Sequence, residues 1–191
     1  MDDLINKSDE EIVELSIGNS DYFSHIIKRY KDKLRRYIRR LTSASDDNTD
    51  DILQDVFIKA YINIKSFDPS LKFSSWIYRI AHNEAISFYR KKKKHDDTFL
   101  YDEEIIENIS DEIDIEKEYI DLEFQKSFTE AINDLDEKYR NVIILKFIEG
   151  KDYDEISDII KKPPGTVATW INRGKEKLKE IVKEKGLKRH E

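Results

Sequence analysis

Residues 51–94 read DILQDVFIKAYINIKSFDPSLKFSSWIYRIAHNEAISFYRKKKK, and this stretch decides the fold. Apolar residues recur in it at the spacing of an amphipathic helix, first over residues 52–64 and again over residues 76–85. A short segment, residues 66–75, separates the two patterns and carries two phenylalanines around an Asp-Pro-Ser turn. The stretch therefore predicts two core helices joined by an aromatic loop.

The two predicted helices leave chemically different residues on their outer faces. The first leaves an acidic face with Asp51, Gln54 and Asp55, which suits a basic protein surface. The second suits a nucleic-acid strand, because cations bind phosphates and aromatic rings stack on unpaired bases. The alternative is a pair of core helices with solvated charges. The residues of the second face are Tyr78, Arg79, Asn83, Tyr89 and the basic run Arg90–Lys94.

The same stretch resembles region 2 of bacterial sigma factors, most closely the extracytoplasmic-function (ECF) group. Two blocks carry the resemblance, residues 51–57 (DILQDVF) and residues 73–83 (FSSWIYRIAHN), and the spacing between them also matches. The resemblance implies that the first block docks on the coiled coil of the RNA polymerase β′ subunit. It also implies that the loop and the second helix melt and recognise the promoter −10 element.

This resemblance implies two sets of contact residues in the N-terminal half of the chain. Those expected to bind core polymerase are Asp51, Ile52, Gln54, Asp55 and Phe57. Those expected to bind −10 DNA are Phe67, Phe73, Trp76, Arg79, Asn83, Arg90 and Lys91.

The composition favours small helical domains over one large core. Of 191 residues, 39 % are charged and only 38 % hydrophobic, and five glycines and three prolines interrupt the helical spacing. The absence of cysteine excludes disulfides and thiolate metal sites. Because there is no long apolar run, we expect no signal peptide, no membrane insertion and a cytoplasmic protein.

The net charge of −7 at first argues against a nucleic-acid partner, but the charges are unevenly distributed. Residues 28–40 contain eight basic residues and one acid, and residues 165–191 contain eight basic residues and four acids. Residues 96–123, by contrast, contain thirteen acids and one base. The negative total therefore comes largely from one segment, which is separate from the basic patches.

The sequence predicts an all-α chain of two small domains. Residues 1–95 form the first, residues 96–115 an acidic linker, and residues 116–191 the second. The linker composition favours a flexible tether. Alternatively, its acids screen the neighbouring basic faces or enter a basic channel of the polymerase; its dispersed isoleucines suggest that it docks somewhere.

Three local signals organise the N-terminal 50 residues. Ser8 followed by Glu11 is a capping-box pattern that starts a short helix ending near Gly18. A second helix is predicted over residues 21–41, with a basic face that is either solvated or turned toward DNA. Residues 42–50 (TSASDDNTD) are predicted to be a polar loop.

The C-terminal helices predict a helix-turn-helix. Asp152 caps the first helix, residues 161–165 (KKPPG) form the turn, and the last helix runs to about Lys183. Its outer residues would face the major groove, where Asn172 suits adenine and Arg173 suits guanine or phosphate. Trp170 is as well explained by packing as by DNA contact. The residues expected to bind DNA, and −35 DNA by the resemblance described next, are Thr166, Ala168, Thr169, Trp170, Asn172, Arg173 and Lys177.

This second domain resembles region 4 of the same family, which recognises the −35 element. The resemblance lies in residues 135–140 (LDEKYR), 153–157 (YDEIS), 164–167 (PGTV) and 172–175 (NRGK). The chain departs from the family pattern in ways that leave fewer cations at the base-facing end. The departures are Asp136 for proline, Ala168 and Trp170 for basic residues, Gly174 for alanine and, in region 2, Ser87 for an acid.

The sequence offers no catalytic constellation, no metal site and no cofactor site. Its four histidines are scattered without metal-ligand spacing, and it has neither a glycine-rich phosphate loop nor a nucleophile elbow. The resemblance implies a non-enzymatic sigma factor whose partners are core RNA polymerase (β′ and β subunits) and promoter DNA, with an anti-sigma factor as a further candidate partner. The alternatives are an autonomous helix-turn-helix regulator and a nucleic-acid-processing enzyme with a helix-turn-helix targeting domain.

Overall fold

The structure, a computed structural model, describes residues 4, 6–91, 101, 103–113 and 122–185. These residues form helices and turns without a strand, which confirms the predicted all-α fold. The α-helices are α1 (Asp9–Gly18), α2 (Phe23–Thr42), α3 (Asp46–Asn63), α4 (Phe73–Lys91), α5 (Glu103–Glu112), α6 (Leu122–Asp134), α7 (Glu137–Ile143), α8 (Tyr153–Ile160) and α9 (Pro164–Glu184).

The chain divides into two compact units. The first contains α1–α4, in which α2, α3 and α4 pack against one another and α1 lies against α2. The second contains α5–α7, α9 and most of α8, with α9 packed against α6 and α7. No helix in the described part of the chain is long and apolar enough to cross a membrane.

The predicted capping box begins α1. The Glu11 amide donates to Ser8 Oγ at 3.1 Å, and the Ser8 amide donates to the Glu11 carboxylate at 2.7 Å. These two bonds satisfy amide groups that have no partner within the helix, so the helix begins where the sequence predicted.

The predicted loop over residues 42–50 is wrong for most of its length. Ser45 is the N-cap of α3, and its hydroxyl accepts from the Asn48 side-chain amide at 2.6 Å. Asp46 and Asp50 then lie within α3 and form ion pairs with Arg35 of α2, at 2.9 and 2.7 Å. Acids in a first helical turn are favoured by the helix dipole. The polar run is therefore a helix start, and residues 43–45 alone form the connection.

The core of the first unit contains a cluster of four aromatic rings. One comes from α2, one from the loop that follows α3, and two from α4. Phe73 contacts Tyr30, Phe67 and Trp76, with ring centroids 5.7, 5.4 and 5.5 Å apart. Edge-to-face aromatic pairs of this kind stabilise a core beyond the area they bury.

Tyr30 is the polar member of this cluster. Burial and, after it, a hydrogen bond to the Asp9 carboxylate raise the pKa of Tyr30 above its usual value. The folded chain thus holds the phenolic proton more firmly than the unfolded chain does, so this contribution is complete below the ordinary phenol pKa of about 10 and is lost at higher pH.

We therefore expect the free energy of unfolding to fall more steeply above about pH 10 in the wild type than in Tyr30→Phe. Urea unfolding followed by Trp76 fluorescence in a Trp170→Phe background measures this difference, because one tryptophan lies in each unit. Equal slopes in the two proteins would show that folding does not raise the pKa of Tyr30.

The structure differs from the predicted tether within residues 96–115. Residues 103–112 form α5, and its isoleucines pack into the core of the second unit. Ile106, Ile109 and Ile113 are buried there beside Phe128 and Ile132 of α6. The spacing of these three isoleucines is that of one helical face, although the acids around them make the segment resemble a linker in the sequence. The other residues of the predicted linker, except Tyr101, lie outside the described residues.

Tyr101 adds a second anchor from the predicted linker. Its side chain is buried in the same core, and its amide donates to Thr129 Oγ1 of α6 at 3.2 Å. Part of the acidic segment therefore belongs structurally to the second unit.

The helix-turn-helix forms as predicted. The Glu155 amide donates to Asp152 Oδ1 at 2.7 Å and the Asp152 amide donates to Glu155 in return, which caps α8. Lys161 ends α8 in the left-handed region, with φ of 52°. Pro164 then begins α9, where a missing amide hydrogen has no consequence.

Gly174 allows α9 to approach α7 closely. A Cβ atom at this position would lie 3.1 Å from Ile143 Cγ1 and 3.4 Å from Tyr139 Cβ. The departure from the usual alanine therefore fits a short distance between the two helices.

Candidate nucleic-acid and protein interfaces

The outer face of α3 presents the acids that the sequence assigned to it. Asp51, Gln54 and Asp55 are exposed, and neither aspartate has an ion-pair partner among the described residues. Asp46 and Asp50, by contrast, are paired with α2. Ile52 and Phe57 are buried in the first unit, where they support the helix, and their direct contact with a partner stays a prediction.

Two apolar residues that sequence reasoning missed extend this face. Ile58 is 47 % exposed and Ile62 is 71 % exposed. They follow Asp51 and Asp55 at spacings of three and four residues, which places all four on one side of the helix. Helical register was the available signal, because Ile58 and Ile62 fall outside the apolar stripe that predicts the core face of this helix. We call Asp51, Gln54, Asp55, Ile58 and Ile62 the α3 face.

The aromatic residues predicted to contact DNA are instead buried. Phe67, Phe73 and Trp76 are each less than one-tenth exposed and pack against one another. A ring enclosed in this way cannot stack on a base without leaving the core, and the DNA contact of these three rings stays a prediction. Their role is to hold the loop between α3 and α4.

The exposed part of that loop is residues 68–72, which we call the loop tip. Phe67 and Phe73 meet edge to face at its base. Within it, Asp68 Oδ1 accepts from the Ser70 amide at 2.9 Å and the Asp68 carbonyl accepts from the Leu71 amide at 3.0 Å. The hydrogen bond from the Ser70 backbone lowers the pKa of Asp68, because it favours the charged carboxylate.

The outer face of α4 brings the remaining predicted −10 residues together. Asn83, Arg90 and Lys91 are exposed and Arg79 is partly exposed. Arg79, Asn83 and Arg90 lie at helical spacings of four and seven residues, so they share one side of the helix. We call these four residues the α4 face. It combines cations for phosphates with an amide that can hydrogen-bond base edges.

A buried polar pair involves His82, the residue next to Asn83 in α4. The Tyr37 hydroxyl and His82 Nδ1 are 3.0 Å apart, and both residues are buried. On the neighbouring side, Glu84 forms an ion pair with Lys59 of α3. These contacts orient the turn of α4 that carries Asn83; no local sequence pattern indicated them.

The outer face of α9 presents most of the predicted −35 residues. Thr169, Asn172, Arg173 and Lys177 are exposed, and Thr166 and Ala168 are partly exposed. The Thr169 hydroxyl donates to the Gly165 carbonyl at 2.8 Å, so its hydrogen is already used within the helix. We call Thr169, Asn172, Arg173 and Lys177 the α9 face.

Trp170 packs against the core of the second unit, which is one of the two roles expected for it. It is partly buried and lies against the core cluster of the second unit, which includes Tyr139, Ile143 and Leu178. Trp170 thus supports α9, and its contact with DNA stays a prediction.

Comparison with known proteins identifies the family of this chain. Residues 26–95 match the family model for Sigma-70 region 2, and residues 125–178 match the model for Sigma-70, region 4. The ECF RNA polymerase sigma factor SigW of Bacillus subtilis (strain 168) is 36 % identical over 184 residues, which cover 92 % of this chain and 96 % of SigW. The chain belongs to the ECF family of RNA polymerase sigma factors. The resemblance seen in the sequence is thereby confirmed.

Further relatives support the same assignment. The ECF RNA polymerase sigma-E factor of Haemophilus influenzae is 29 % identical over 182 residues, 92 % of this sigma factor and 95 % of the relative. The solved sigma factor RpoE of Bartonella quintana, in complex with the anti-sigma factor NepR, is 27 % identical with a TM-score of 0.61, over 84 % of this chain and 96 % of RpoE.

One further solved structure shows the same fold. CnrH, in complex with the cytosolic domain of CnrY, is 20 % identical with a TM-score of 0.69, over 93 % of this chain and 99 % of CnrH.

Because of its family matches and its similarity to SigW, this sigma factor directs RNA polymerase to promoters, and an autonomous regulator is not favoured. Sigma factors are initiation factors, and the matched families contain no catalytic one.

Proposed function

We propose that the α3 face docks this sigma factor on the β′ subunit of core RNA polymerase. Its aspartates are exposed and available for a basic surface, and Ile58 and Ile62 offer apolar area beside them. Protein interfaces commonly combine an apolar centre with charges that set orientation. The neighbouring acids Asp46 and Asp50 are held by Arg35, so they do not compete for that surface.

The α4 face and the loop tip together hold the melted −10 strand. Arg90 and Lys91 bind phosphates, and Asn83 hydrogen-bonds a base edge that becomes accessible only when the strands separate. The buried rings of Phe67 and Phe73 support the loop tip instead of stacking on bases. The observation that carries the proposal is this pairing of a closed, exposed loop with an Asn-Arg-Lys face, because duplex binding alone requires neither.

The α9 face holds the −35 element in the major groove. Asn172 and Arg173 supply the donors and acceptors for base edges, and Lys177 lies one turn further along for a phosphate. The second unit would also contact the β subunit, and the two units divide the promoter between them. We regard residues 1–95 and 116–191 as these functional halves, with α5 joining the second.

An anti-sigma factor is the expected inhibitor of this sigma factor. RpoE, at 27 % identity, was solved with the anti-sigma factor NepR. The sigma factor would meet these partners in the cytoplasm. Its own part in initiation is binding, without a cofactor, a metal or a catalytic step.

The −10 assignment is tested with the assembled holoenzyme and a forked DNA that carries an unpaired −10 strand. We expect Asn83→Ala to lose discrimination between −10 base variants by roughly 1–3 kcal/mol, whereas Lys91→Ala weakens all variants alike. Unchanged binding in both variants would refute the α4 face as the −10 interface.

The −35 assignment makes a separate prediction. Arg173→Ala should lower the affinity of the holoenzyme for its −35 duplex by roughly 1–3 kcal/mol if Arg173 contacts a base. Competition binding with single-base variants of the duplex measures the loss and its sequence dependence.

Lys183→Ala is the matched control, because Lys183 is an exposed cation in the last turn of the same helix. A loss in Arg173→Ala that is uniform across sequences would assign Arg173 to a phosphate. Equal effects of the two substitutions would contradict the α9 face.

A further inference from the structure

Helix α4 donates a hydrogen bond at its start to a helix far away in sequence. The Phe73 amide, the first of α4, donates to Glu10 Oε1 of α1 at 2.8 Å, although the two residues are 63 positions apart. This contact is partly buried. Glu10 also lies outside residues 26–95, the part of the chain that matches the region 2 family model.

The position of this carboxylate satisfies a specific need of α4. The first amide groups of a helix have no carbonyl partner within the helix, and a side chain just before the helix usually accepts from one of them. Lys72 occupies that place in the sequence, and a lysine side chain has no acceptor atom. Glu10 supplies the acceptor from α1, and its negative charge is favoured at the positive end of the helix dipole.

The adjacent residue holds Glu10 in place. Asp9 accepts from Arg29 Nη1 at 2.7 Å and from the Tyr30 hydroxyl, both on α2. The Tyr30 ring in turn lies against the Phe73 ring, with centroids 5.7 Å apart. Two neighbouring acids of α1 thus fix Phe73 from both sides, one through its ring and one through its amide.

Fixing Phe73 fixes the loop tip. Phe73 ends the loop, and its ring closes the base of the loop against Phe67. Phe73 is the first residue of α4 and directly follows the loop tip, so its position fixes where residues 68–72 join the helix.

We propose that Glu10 is a positioning residue for −10 recognition, which it controls by setting the start of α4 and with it the loop tip. This proposal rests on the proposed role of the loop tip and the α4 face. Glu10 contacts no DNA in this account, so its effect reaches the promoter through Phe73 alone.

The test compares three variants in the assembled holoenzyme with forked DNA carrying the −10 element or its single-base variants. We expect Glu10→Ala to lower discrimination among these DNAs by about fivefold, the factor that corresponds to one lost hydrogen bond. Glu10→Gln should retain discrimination, because its amide oxygen still accepts from the Phe73 amide. Glu14→Ala, an exposed acid on the same helix, should behave as the wild type.

Two accompanying measurements separate positioning from folding. Trp76 fluorescence in a Trp170→Phe background gives the unfolding midpoint, and all binding is measured well below it. Affinity for core polymerase should be unchanged in the three variants. A lower midpoint in Glu10→Ala with unchanged −10 discrimination would overturn the proposal, as would equal loss in Glu10→Ala and Glu10→Gln. If the wild-type holoenzyme does not bind the −10 strand, the proposed function itself fails.

Discussion

Asp55→Arg is expected to weaken binding to core RNA polymerase by roughly 3 kcal/mol, about a hundredfold, because it places a like charge against a basic surface. Asp55 lies in the middle of the α3 face, with Asp51 one turn before it and Ile58 and Ile62 after it. Fluorescence anisotropy of labelled sigma factor titrated with core polymerase measures the change. The loss should shrink as salt is raised, since exposed charges are screened.

Asp32→Arg is the matched control for this prediction. Asp32 is exposed on α2, and its substitution changes the net charge by the same amount. Binding of the −35 duplex by the second unit should be intact in both variants. Equal polymerase affinity of Asp55→Arg and the wild type would contradict the docking face assigned to α3.

Ile109→Asp is expected to destabilise the second unit by about 4 kcal/mol or more, because it buries a carboxylate among apolar side chains. Ile109 of α5 is fully buried in the core of the second unit, together with Phe128 and Ile132 of α6. Urea unfolding followed by Trp170 fluorescence in a Trp76→Phe background reports on this unit, since Trp170 packs against the same core.

Asn108→Asp provides the control, because it adds the same charge at the neighbouring exposed position of α5. It should shift the unfolding midpoint little. If the two variants unfold at the same urea concentration as the wild type, α5 is not part of the second unit and the original tether prediction stands.

Features that depend on a few neighbouring residues could be predicted from the sequence. The capping boxes of Ser8 with Glu11 and of Asp152 with Glu155 are local, so the pattern suffices to place the helix starts. The two amphipathic stripes of residues 51–94 likewise determine α3 and α4.

The same local reasoning failed where polar residues have structural partners. The run TSASDDNTD contains an N-cap and two acids that pair with Arg35, and nothing nearby distinguishes these from loop residues. The isoleucines of α5 share one face, but the helix has only ten residues and lies within an acidic segment whose composition is typical of a linker.

The candidate site shows a different limit. The sequence placed Phe67, Phe73 and Trp76 at or beside the loop between α3 and α4, where the structure has them. Their surroundings decide whether they face bases or one another. That outcome depends on Tyr30 and Glu10, which lie more than 30 residues earlier in the chain. Family resemblance identified the right elements, whereas only the packing separates contact residues from supporting ones.

Run-off transcription with purified core RNA polymerase of the same organism tests the central claim most directly. Genomic fragments serve as templates, and reactions with and without this sigma factor are compared. We expect specific start sites that appear only with the sigma factor, share a −10 and a −35 element, and disappear with Asp55→Arg. Failure to produce any new start site, with a polymerase that is active with another sigma factor, would contradict the account.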